Sequence, residues 1–270
     1  MKKNLALILP LLIITIFVFS AIFAPSLAPF SPSEQNLCAG LSKPSLSHPL
    51  GQDKLGRDLL SMMLYGARVS LIVGLSVVLI SASIGFLLGA IAGTFGGIVD
   101  QLVMRLVDLL MAFPGILLAI ALSAILGPGL GNVIFALSLL GWVGYARLTR
   151  AGVLVEREKA YFESAKALGA GSFRIIFKHL APNLIAPVLV QASFGIAGAI
   201  LAEASLSFLG LGTQGTPSFG SLLSHGINFL RTAPHLTIFP GLAVFLLVIS
   251  FNILGDYLAD YFQVQEKGRR

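Results

Sequence analysis

The chain alternates between long apolar runs and short polar segments. A helix needs about 20 apolar residues to cross the hydrocarbon core of a bilayer, and six runs reach or approach what a span requires. They are Leu5–Phe23, Leu71–Gly93, Leu106–Leu126, Asn132–Tyr145, Leu184–Leu211 and Leu236–Leu254. The fourth run is shorter, but apolar sequence continues into its Gly-rich flanks. The pattern predicts an all-α integral membrane protein with six transmembrane helices.

The composition indicates that lipid is part of the solvent. Charged residues make up 11% of the chain and hydrophobic residues 56%, whereas about 25% of a soluble domain is charged. The 29 glycines agree with this, because small residues let transmembrane helices approach closely. The single cysteine, Cys38, excludes an intramolecular disulfide. The net charge of +6 comes from basic clusters between apolar runs without an aromatic-rich basic face, so we assign it to topology and expect no nucleic-acid partner.

The first run also has the form of a secretory signal, since a basic start precedes an apolar stretch. Two features argue for an uncleaved helix. The run is longer than the usual apolar region of about 7–15 residues, and Pro25 follows Ala24 at the point where cleavage is expected.

Basic residues set the predicted orientation, because cytoplasmic loops of membrane proteins are enriched in Lys and Arg. With the N-terminus inside, the basic residues of the outer segments are Lys43, Lys54, Arg57, Arg68 and Arg231. Those of the inner segments are Lys2, Lys3, Arg105, Arg147, Arg150, Arg157, Lys159, Lys166, Arg174, Lys178, Lys267, Arg269 and Arg270. Both termini are therefore predicted to be cytoplasmic.

The same pattern divides the chain into four parts. Residues 1–24 form the first transmembrane helix, and residues 25–70 form an extracytoplasmic segment. Residues 71–260 form a core of five transmembrane helices that includes a basic cytoplasmic loop at residues 147–183. Residues 261–270 form a cytoplasmic tail.

The basic loop predicts a helix, a glycine turn and a second helix. Residues Glu156–Leu168 are rich in Ala, Glu, Lys and Leu and favour a helix. Gly169 and Gly171 then break it.

Ser172 is the predicted N-cap of the second helix, which begins at Phe173. Pro182 is predicted to stop or kink that helix before the fifth span. Leu168 and Phe173 then lie near the tip of a hairpin at the membrane surface.

This loop resembles the "EAA" loop of ABC importer permeases, which reads Glu-Ala-Ala, three residues, Gly, nine residues and Ile-x-Leu-Pro. The residues at matching spacing are Glu163, Ala165, Gly169 and Pro182. The departures are Ser164, His179 and Ala181. His179-Leu-Ala-Pro182-Asn183 is similar, with one departure, to the His-x-Leu-Pro-Asn ending of the peptide and nickel branch.

Other segments extend the resemblance over nearly the whole chain. His48-Pro-Leu-Gly51-Gln-Asp53-Lys-Leu-Gly56-Arg57-Asp58-Leu-Leu-Ser61 resembles the His-x-x-Gly-Thr-Asp-x-x-Gly-Arg-Asp-x-x-Ser segment of dipeptide, oligopeptide and nickel permeases, with Gln52 in place of Thr. Further matches are Gly66-Ala-Arg68-Val-Ser70-Leu, Gly96-Gly97-Ile-Val-Asp100, Met104-Arg105-x-x-Asp108, Ala112-Phe-Pro114, Leu206-Ser-Phe-Leu-Gly210-Leu-Gly212 and Asn252-x-Leu-Gly255-Asp256-x-Leu.

The resemblance implies a type I ABC importer permease in a bacterial inner membrane, carrying peptides or nickel chelates. It implies as partners a second related permease, two ATPase subunits that bind ATP and Mg, and an extracytoplasmic binding protein. The loop would be the coupling element that docks on the ATPase. Its residues would be Glu163, Ala165, Leu168, Gly169, Ala170, Gly171, Ser172, Phe173, His179 and Pro182.

The absence of catalytic motifs agrees with a transport subunit that is not itself an enzyme. The sequence has no Gly-x-x-x-x-Gly-Lys-Ser/Thr loop for ATP phosphates, no His-Glu-x-x-His and no nucleophile elbow. The four histidines are scattered on both predicted sides, so we expect no cofactor and no metal site in the chain. An ion-coupled transporter or channel is the alternative, and it would need more intramembrane acids than this sequence has.

Three charges inside the apolar runs remain to be placed. Arg105 and Asp108 are three residues apart and are predicted to form a structural ion pair near the cytoplasmic interface. Glu203 is predicted in the outer half of the fifth span. Two interpretations stay open for it: a place on the translocation pathway, or a structural hydrogen bond with Ser205 or Ser207.

Overall fold

The computed structural model describes residues 2–268, apart from the side chains of residues 2–6, 166 and 264–268. The elements of this part of the chain are helical, apart from one isolated bridge between Gln52 and Asp58, and two of them are short 3₁₀ helices at Leu37–Ala39 and Ile227–Phe229. The others are α-helices. They are α1 (Lys2–Ile22), α2 (Ala24–Leu27), α3 (Leu59–Phe95), α4 (Gly97–Met111), α5 (Gly115–Leu126), α6 (Leu130–Arg157), α7 (Ala160–Ala167), α8 (Ser172–Arg174), α9 (Ala181–Phe208), α10 (Phe219–Gly226) and α11 (His235–Gly268). A π-helical turn at Ile175–Leu180 joins α8 to α9.

Four helical segments in the described residues are long and apolar enough to cross a membrane: Leu59–Phe95, Leu130–Arg157, Ser172–Phe208 and His235–Gln263. The pair α4 and α5 makes a fifth if it counts as one bent span, and Leu7–Ile22 in α1 is shorter. The predicted all-helical membrane class is therefore confirmed. The count of six spans and the cytoplasmic termini stay predictions, and Arg269 and Arg270 lie outside the described residues, as do the side chains of Lys2, Lys3, Lys166 and Lys267.

The predicted third span is not one continuous helix. Helix α4 ends at Met111 and α5 starts at Gly115, and their axes meet at 83°. Pro114 explains the break, because it lacks an N–H donor and disfavours helical backbone at Phe113. The apolar pattern of Leu106–Leu126 continues across this break, so periodicity alone did not reveal it.

Helix α3 begins at Leu59, well before the predicted Leu71, because an aspartate caps its N-terminus. Asp58 Oδ2 accepts hydrogen bonds from the Ser61 N–H and the Ser61 hydroxyl, both at 2.7 Å. The other oxygen, Oδ1, is 2.9 Å from His48 Nδ1. Three polar residues of the His48–Ser61 motif therefore fix the point where the chain enters the span.

The glycine and aspartate in the middle of that motif shape a tight loop. Gly56 has φ +70°, and a Cβ on it would lie 1.9 Å from the Asn36 carbonyl oxygen. Asp53 Oδ1 accepts hydrogen bonds from the Leu55 and Arg57 N–H groups at 2.9 Å, and Oδ2 is 2.6 Å from Arg57 Nη2. These residues hold the segment before α3 in a defined shape, and its extracytoplasmic location stays a prediction.

Helices α3 and α6 pack very closely against each other along a row of glycines on α3, which we call the glycine seam. A Cβ added at Gly85 would lie 2.4 Å from the Trp142 carbonyl oxygen, and one at Gly89 would lie 2.3 Å from the Ala146 carbonyl oxygen. The seam continues to Gly93, one further helical turn along α3. Glycine at every fourth residue puts a smooth stripe on one face, so the two backbones touch.

A second core lies where α1, α3, α9, α10 and α11 meet. Phe219 at the start of α10 is fully buried there, among Leu59, Ile200 and Leu247. The Phe17 ring of α1 meets Phe219 edge-on, with 6.3 Å between the ring centroids. The segment between α9 and α11 is thereby packed onto the bundle.

Candidate coupling surface and membrane cavity

The basic loop between α6 and α9 is built on a short helix that ends in a glycine cap. Helix α7 stops at Ala167, and Gly169 takes the left-handed conformation with φ +76°. The Ala170 N–H donates to the Ala165 carbonyl at 3.0 Å, which is the 6→1 bond of a Schellman motif. The predicted glycine turn is present, with Gly169 as its left-handed residue.

Two local details differ from the sequence prediction. Residues Glu156–Leu168 are not one helix, since α6 ends at Arg157 and α7 begins at Ala160. The turn between them brings the Tyr161 hydroxyl back to the Glu156 carboxylate. On one straight helix these two side chains could not meet, because residues five positions apart do not lie on the same face. Ser172 is not the N-cap of the next helix: Gly171 is, and it makes no side-chain capping bond.

Pro182 does not stop the second helix. The helical segment runs from Ser172 to Phe208, with Pro182 in the first turn of α9, where a missing N–H donor is tolerated. The π-helical turn before it makes this possible, because the Ala181 N–H reaches back to the Ile176 carbonyl, five residues earlier. The second half of the loop, from Ser172, and the fifth predicted span therefore form one continuous helical segment.

One side of the loop is anchored to three spans. Phe162, Ile175 and Ile176 are 7%, 4% and 3% exposed, and they form one cluster with Ala90 of α3, Val153 of α6 and Leu184 of α9. We call this cluster the base of the loop. Because its side chains are closely packed, a displacement of the base would also displace the helices that contribute to it.

The opposite side is apolar and uncovered. Leu168 is 88% exposed and Phe173 is 73% exposed, on the two sides of the Gly169 turn. An open groove of about 410 Å³, lined by Arg157, Phe162, Glu163 and Ala167, extends from the base of the loop to the residue before Leu168. Large apolar side chains exposed on a basic loop make this part of the chain the candidate interaction surface. We call Leu168, Phe173 and this groove the coupling surface.

A hydrogen-bonded chain of polar groups joins α6, α7 and α9 beneath the coupling surface. Glu156 Oε2 accepts a 2.5 Å hydrogen bond from the Tyr161 hydroxyl, and Oε1 is 2.6 Å from Lys159 Nζ. Asn183 donates to the Tyr161 oxygen at 3.2 Å and to the His179 carbonyl at 3.0 Å. Burial, with the Glu156 hydrogen bond, raises the pKa of Tyr161 to about 12, so the phenol stays protonated and keeps donating at neutral pH. Tyr161 carries no recognisable signal in the sequence, since only the fold brings it to Glu156.

The structure places the predicted loop residues in three environments. Those that are exposed are Glu163, Leu168, Gly169, Gly171, Phe173 and Pro182. Those that are half-buried are Ala170, Ser172 and His179, and Ala165 is buried at the anchored base. Their assignment to coupling stays a prediction, with the exposed group as its candidate contact residues.

Glu203 lies at the contact of α9 with α3 and is 1% exposed. Its Oε2 accepts a hydrogen bond from the Ser70 hydroxyl at 2.9 Å, and its Oε1 accepts one from Ser207 at 2.7 Å. Ser205 instead donates to the Leu201 carbonyl. The geometry favours the structural interpretation, with Ser207 as the partner on the same helix and Ser70 as a partner that only the fold supplies.

We expect Glu203→Leu to destabilise the protein by roughly 2–5 kcal/mol, because the Ser70 and Ser207 hydroxyls lose their buried acceptor. The apparent Tm of the detergent-purified protein measures this. Glu203→Gln keeps one acceptor oxygen and should shift the Tm less. Lost transport in Glu203→Gln at an unchanged Tm would contradict the structural role and restore the pathway interpretation.

The predicted ion pair between Arg105 and Asp108 is not present in the described residues, where both side chains are exposed. An exposed pair on one helix gains little in free energy, so nothing holds the two side chains together. The ion pair of α4 is formed by Asp100 instead. Arg150 of α6 donates through Nε to its Oδ1 and through Nη2 to its Oδ2, the latter at 2.6 Å. This bidentate pair fastens α4 to α6.

An open cavity of about 300 Å³ lies between α3, α5, α6 and α9. Its lining residues are Val77, Val78, Ser81, Gly115, Ile116, Ala119, Leu137, Leu140, Gly141, Tyr145, Gln191, Gly195, Gly198, Ala199 and Ala202. None of these is charged, and Glu203 is not among them. Within the described residues, no group of three or more His, Cys, Asp or Glu side chains is placed to hold a metal ion.

Comparison with known families identifies the architecture. A family model described as "Binding-protein-dependent transport system inner membrane component" matches residues 85–264, more than half of the chain. The chain belongs to this family. A second model, the N-terminal TM domain of oligopeptide transport permease C, matches residues 1–44. The predicted family is thus confirmed, and this family member is a multi-pass protein of the bacterial inner membrane.

Individual relatives match along most of this family member. It is 44% identical over 261 residues to the dipeptide transport system permease protein DppC of Alkalihalophilus pseudofirmus, covering 96% of this chain and 86% of the relative. It is 46% identical over 266 residues to the DppC protein of Escherichia coli K12, covering 96% and 89%. The glutathione transport system permease protein GsiD of Pectobacterium atrosepticum is 45% identical over 218 residues, covering 80% and 72%.

A solved structure shares the fold. The MetNI methionine ABC transporter in an inward-facing conformation aligns with a TM-score of 0.62 over 75% of this chain and 97% of that chain. The sequence identity is 17%, so the likeness concerns the fold alone. It agrees with the predicted permease fold.

Proposed function

We propose that the chain is a permease subunit of an ATP-driven, binding-protein-dependent importer of peptides. Relatives named for dipeptide and glutathione transport support this cargo class. The membrane cavity also supports it, because no charged residue lines it, whereas many ion paths carry rings of charged side chains. The partners are a second related permease, two ATPase subunits and an extracytoplasmic binding protein.

The observation that carries the coupling role is the exposed apolar tip on a buried base. Leu168 and Phe173 project from a loop whose other side packs against α3, α6 and α9. A separate subunit that covers the tip can push on these helices through the base. ATP and Mg would bind on that subunit, since this chain has no phosphate-binding loop.

The mechanism is a lever that converts closure of the ATPase dimer into a change of the membrane path. The tip receives the movement, and the Glu156–Tyr161–Asn183 chain and the apolar base carry it to α6 and α9 together. Tilting these helices relative to α3 changes the walls of the cavity, which α3, α6 and α9 share. The path would open outward with ATP bound and inward after hydrolysis.

Gly169→Asp is expected to lower ATP-driven uptake at least about 10-fold, because it adds a negative charge to the coupling surface and to a helix C-terminus. A Cβ at Gly169 meets no atom within 4 Å, so the permease itself should still fold and insert. Uptake of a radiolabelled dipeptide into vesicles holding all partners measures the effect.

Gly169→Asn is the matched control, since Asn has the same shape, no charge and a tolerance for positive φ. It should lose only a few-fold in uptake. Wild-type uptake in Gly169→Asp would contradict the lever. Dipeptide uptake that follows an ion gradient without ATP would instead favour the ion-coupled alternative.

A further inference from the structure

Helix α4 carries two charged side chains that the subunit does not use. Arg105 and Asp108 are exposed, and the described residues contain no ion pair of either one. Gln101 is exposed on the same side of α4, since residues four and seven positions apart share a helix face. We call Gln101, Arg105 and Asp108 the polar stripe. It lies outside the contact that α4 makes with α6.

The polar stripe lies at the depth of the hydrocarbon core. Val107, beside the stripe, is fully buried and forms one cluster with Trp142 of α6. The Trp142 backbone in turn meets α3 at Gly85. The chain has no charged residue between Arg68 and Asp100, and a spanning segment of about 20 residues placed anywhere in that stretch includes Gly85. The cluster therefore holds the stripe beside lipid tails, away from the water on either side.

Lipid does not suit the polar stripe as a neighbour. Ionisable side chains inside a bilayer almost always face another protein segment or a water-filled cavity. The stripe combines a cation, an anion and an amide, so its cover has to offer both donors and acceptors. Water alone does not fit either, because large apolar side chains are exposed next to the stripe. They are Leu102, Leu106 and Leu109. A protein surface with both polar and apolar side chains satisfies both parts of this face.

We propose that this face of α4 is the surface on which the subunit pairs with the second permease of the importer. Polar side chains of that permease would bond the stripe, and its apolar side chains would pack on Leu102, Leu106 and Leu109. The proposal rests on the proposed import function and gives one of its partners a place. The second permease fits because it is the proposed partner that lies in the bilayer, at the depth of the stripe.

The position of α4 connects this surface to the proposed lever. The bidentate pair between Arg150 of α6 and Asp100 fastens α4 to α6, and Arg150 lies one helical turn from Ala146 in the same cluster. A tilt of α6 would therefore carry the paired surface with it. Movement at the coupling surface would reach the contact between the two permeases as well as the cavity.

Site-directed photo-cross-linking in the assembled importer tests the surface. The photoreactive p-benzoylphenylalanine is placed at Leu102 or Leu109, which are 67% and 58% exposed and leave the charged residues intact. Irradiation is expected to join this subunit covalently to the second permease, as identified by mass spectrometry. Leu79 of α3 is the matched control, because it is 72% exposed on a face without charged residues. It should give at least about fivefold less of this product, since cross-linking requires direct contact.

The other possible covers of α4 give different products. Phospholipid adducts at both α4 positions would overturn the proposal in favour of lipid. The absence of any adduct at both positions would overturn it in favour of a water-filled path. Equal amounts of the permease product at the two α4 positions and at Leu79 would overturn it as well, because the contact would not be specific to α4.

Co-purification of the second permease tests the charges themselves. Asp108→Lys is expected to lower recovery of the second permease on the tagged subunit at least about 10-fold, because a reversed charge in a desolvated contact is left without its partner. The subunit expressed alone should keep its yield, since Asp108 makes no ion pair in it. Asp108→Asn keeps an acceptor oxygen and should lose only a few-fold. Glu34→Lys reverses an exposed charge elsewhere and should lose nothing. Wild-type recovery with Asp108→Lys would overturn the role of the stripe.

Dipeptide uptake by the wild-type complex separates this proposal from the proposed function. Normal ATP-driven uptake without a permease product at either α4 position would refute the surface alone. Absent uptake by the wild-type complex would refute the import function, whatever the cross-links show. Uptake together with the product at Leu102 or Leu109 supports both.

Discussion

Replacing Leu168 and Phe173 together with Asp is expected to abolish association with the ATPase subunits, with at least a 100-fold loss of ATP-driven uptake. The two side chains are 88% and 73% exposed in the isolated subunit, so neither change removes a contact that the fold needs. Burying two large apolar side chains at an interface contributes roughly 3–6 kcal/mol. Two carboxylates at the same places would add a desolvation penalty.

Co-purification of an ATPase subunit with the tagged permease measures this directly. Leu46→Asp is the matched control, because Leu46 is fully exposed in the predicted extracytoplasmic segment, and it should leave co-purification unchanged. Normal ATPase recovery with the Leu168 and Phe173 double variant would contradict the assignment of the coupling surface. Loss of the permease itself from the membrane would show that the pair is needed for folding instead.

Gly89→Leu is expected to prevent the bundle from forming, with a drop of at least about 10-fold in folded protein. Overpacking a core costs about 1–3 kcal/mol when side chains can move aside. At Gly89 the obstacle is the Ala146 carbonyl oxygen, 2.3 Å from an added Cβ, and a helix backbone cannot rotate away. Helices α3 and α6 would have to separate, and with them the wall that they share in the cavity.

The yield of monodisperse protein on size-exclusion chromatography after detergent extraction checks this outcome. Gly131→Leu is the control, because Gly131 also lies in a helix but has no neighbouring atom within 4 Å of an added Cβ. A wild-type elution profile for Gly89→Leu would refute the close packing of α3 on α6.

One helical segment connects the coupling surface with the cavity. Ser172–Phe208 is continuous and carries Phe173 in its first turn and Gln191 at the cavity. It is the element through which the proposed lever would act on the cavity. The 83° break between α4 and α5 leaves α5 as a short wall of the same cavity, separate from that segment.

Much of the membrane architecture was predictable from the sequence, because lipid imposes a simple rule on composition. An apolar run near 20 residues has few alternatives to a spanning helix, and the cores of α3, α6, α9 and α11 were all predicted. The loop turn was predictable too, since Gly169 has the positive φ that favours glycine. The family followed from ordered motifs such as His48–Ser61 and Glu163–Asn183.

Features that depend on contacts between distant residues were not predictable. The partner of Glu203 across the bundle is Ser70, 133 residues earlier, and the partner of Asp100 is Arg150 rather than a neighbour on its own helix. Sequence spacing offered only local partners. For Glu203 it left Ser205 and Ser207 open, of which Ser207 makes the hydrogen bond, and the ion pair that it predicted between Arg105 and Asp108 does not form.

The sequence by itself determined three properties of this chain: that it is a membrane protein, approximately which residues form its helices, and which family it belongs to. These properties follow from local hydrophobicity and from motifs read in order. Only the tertiary structure decided which polar groups are satisfied and which are not. Ser81 and Ser70 look alike in the sequence. The Ser81 hydroxyl is buried without a partner among the described residues, whereas the Ser70 hydroxyl donates to the Glu203 carboxylate. Helix packing, which no single segment encodes, makes that difference.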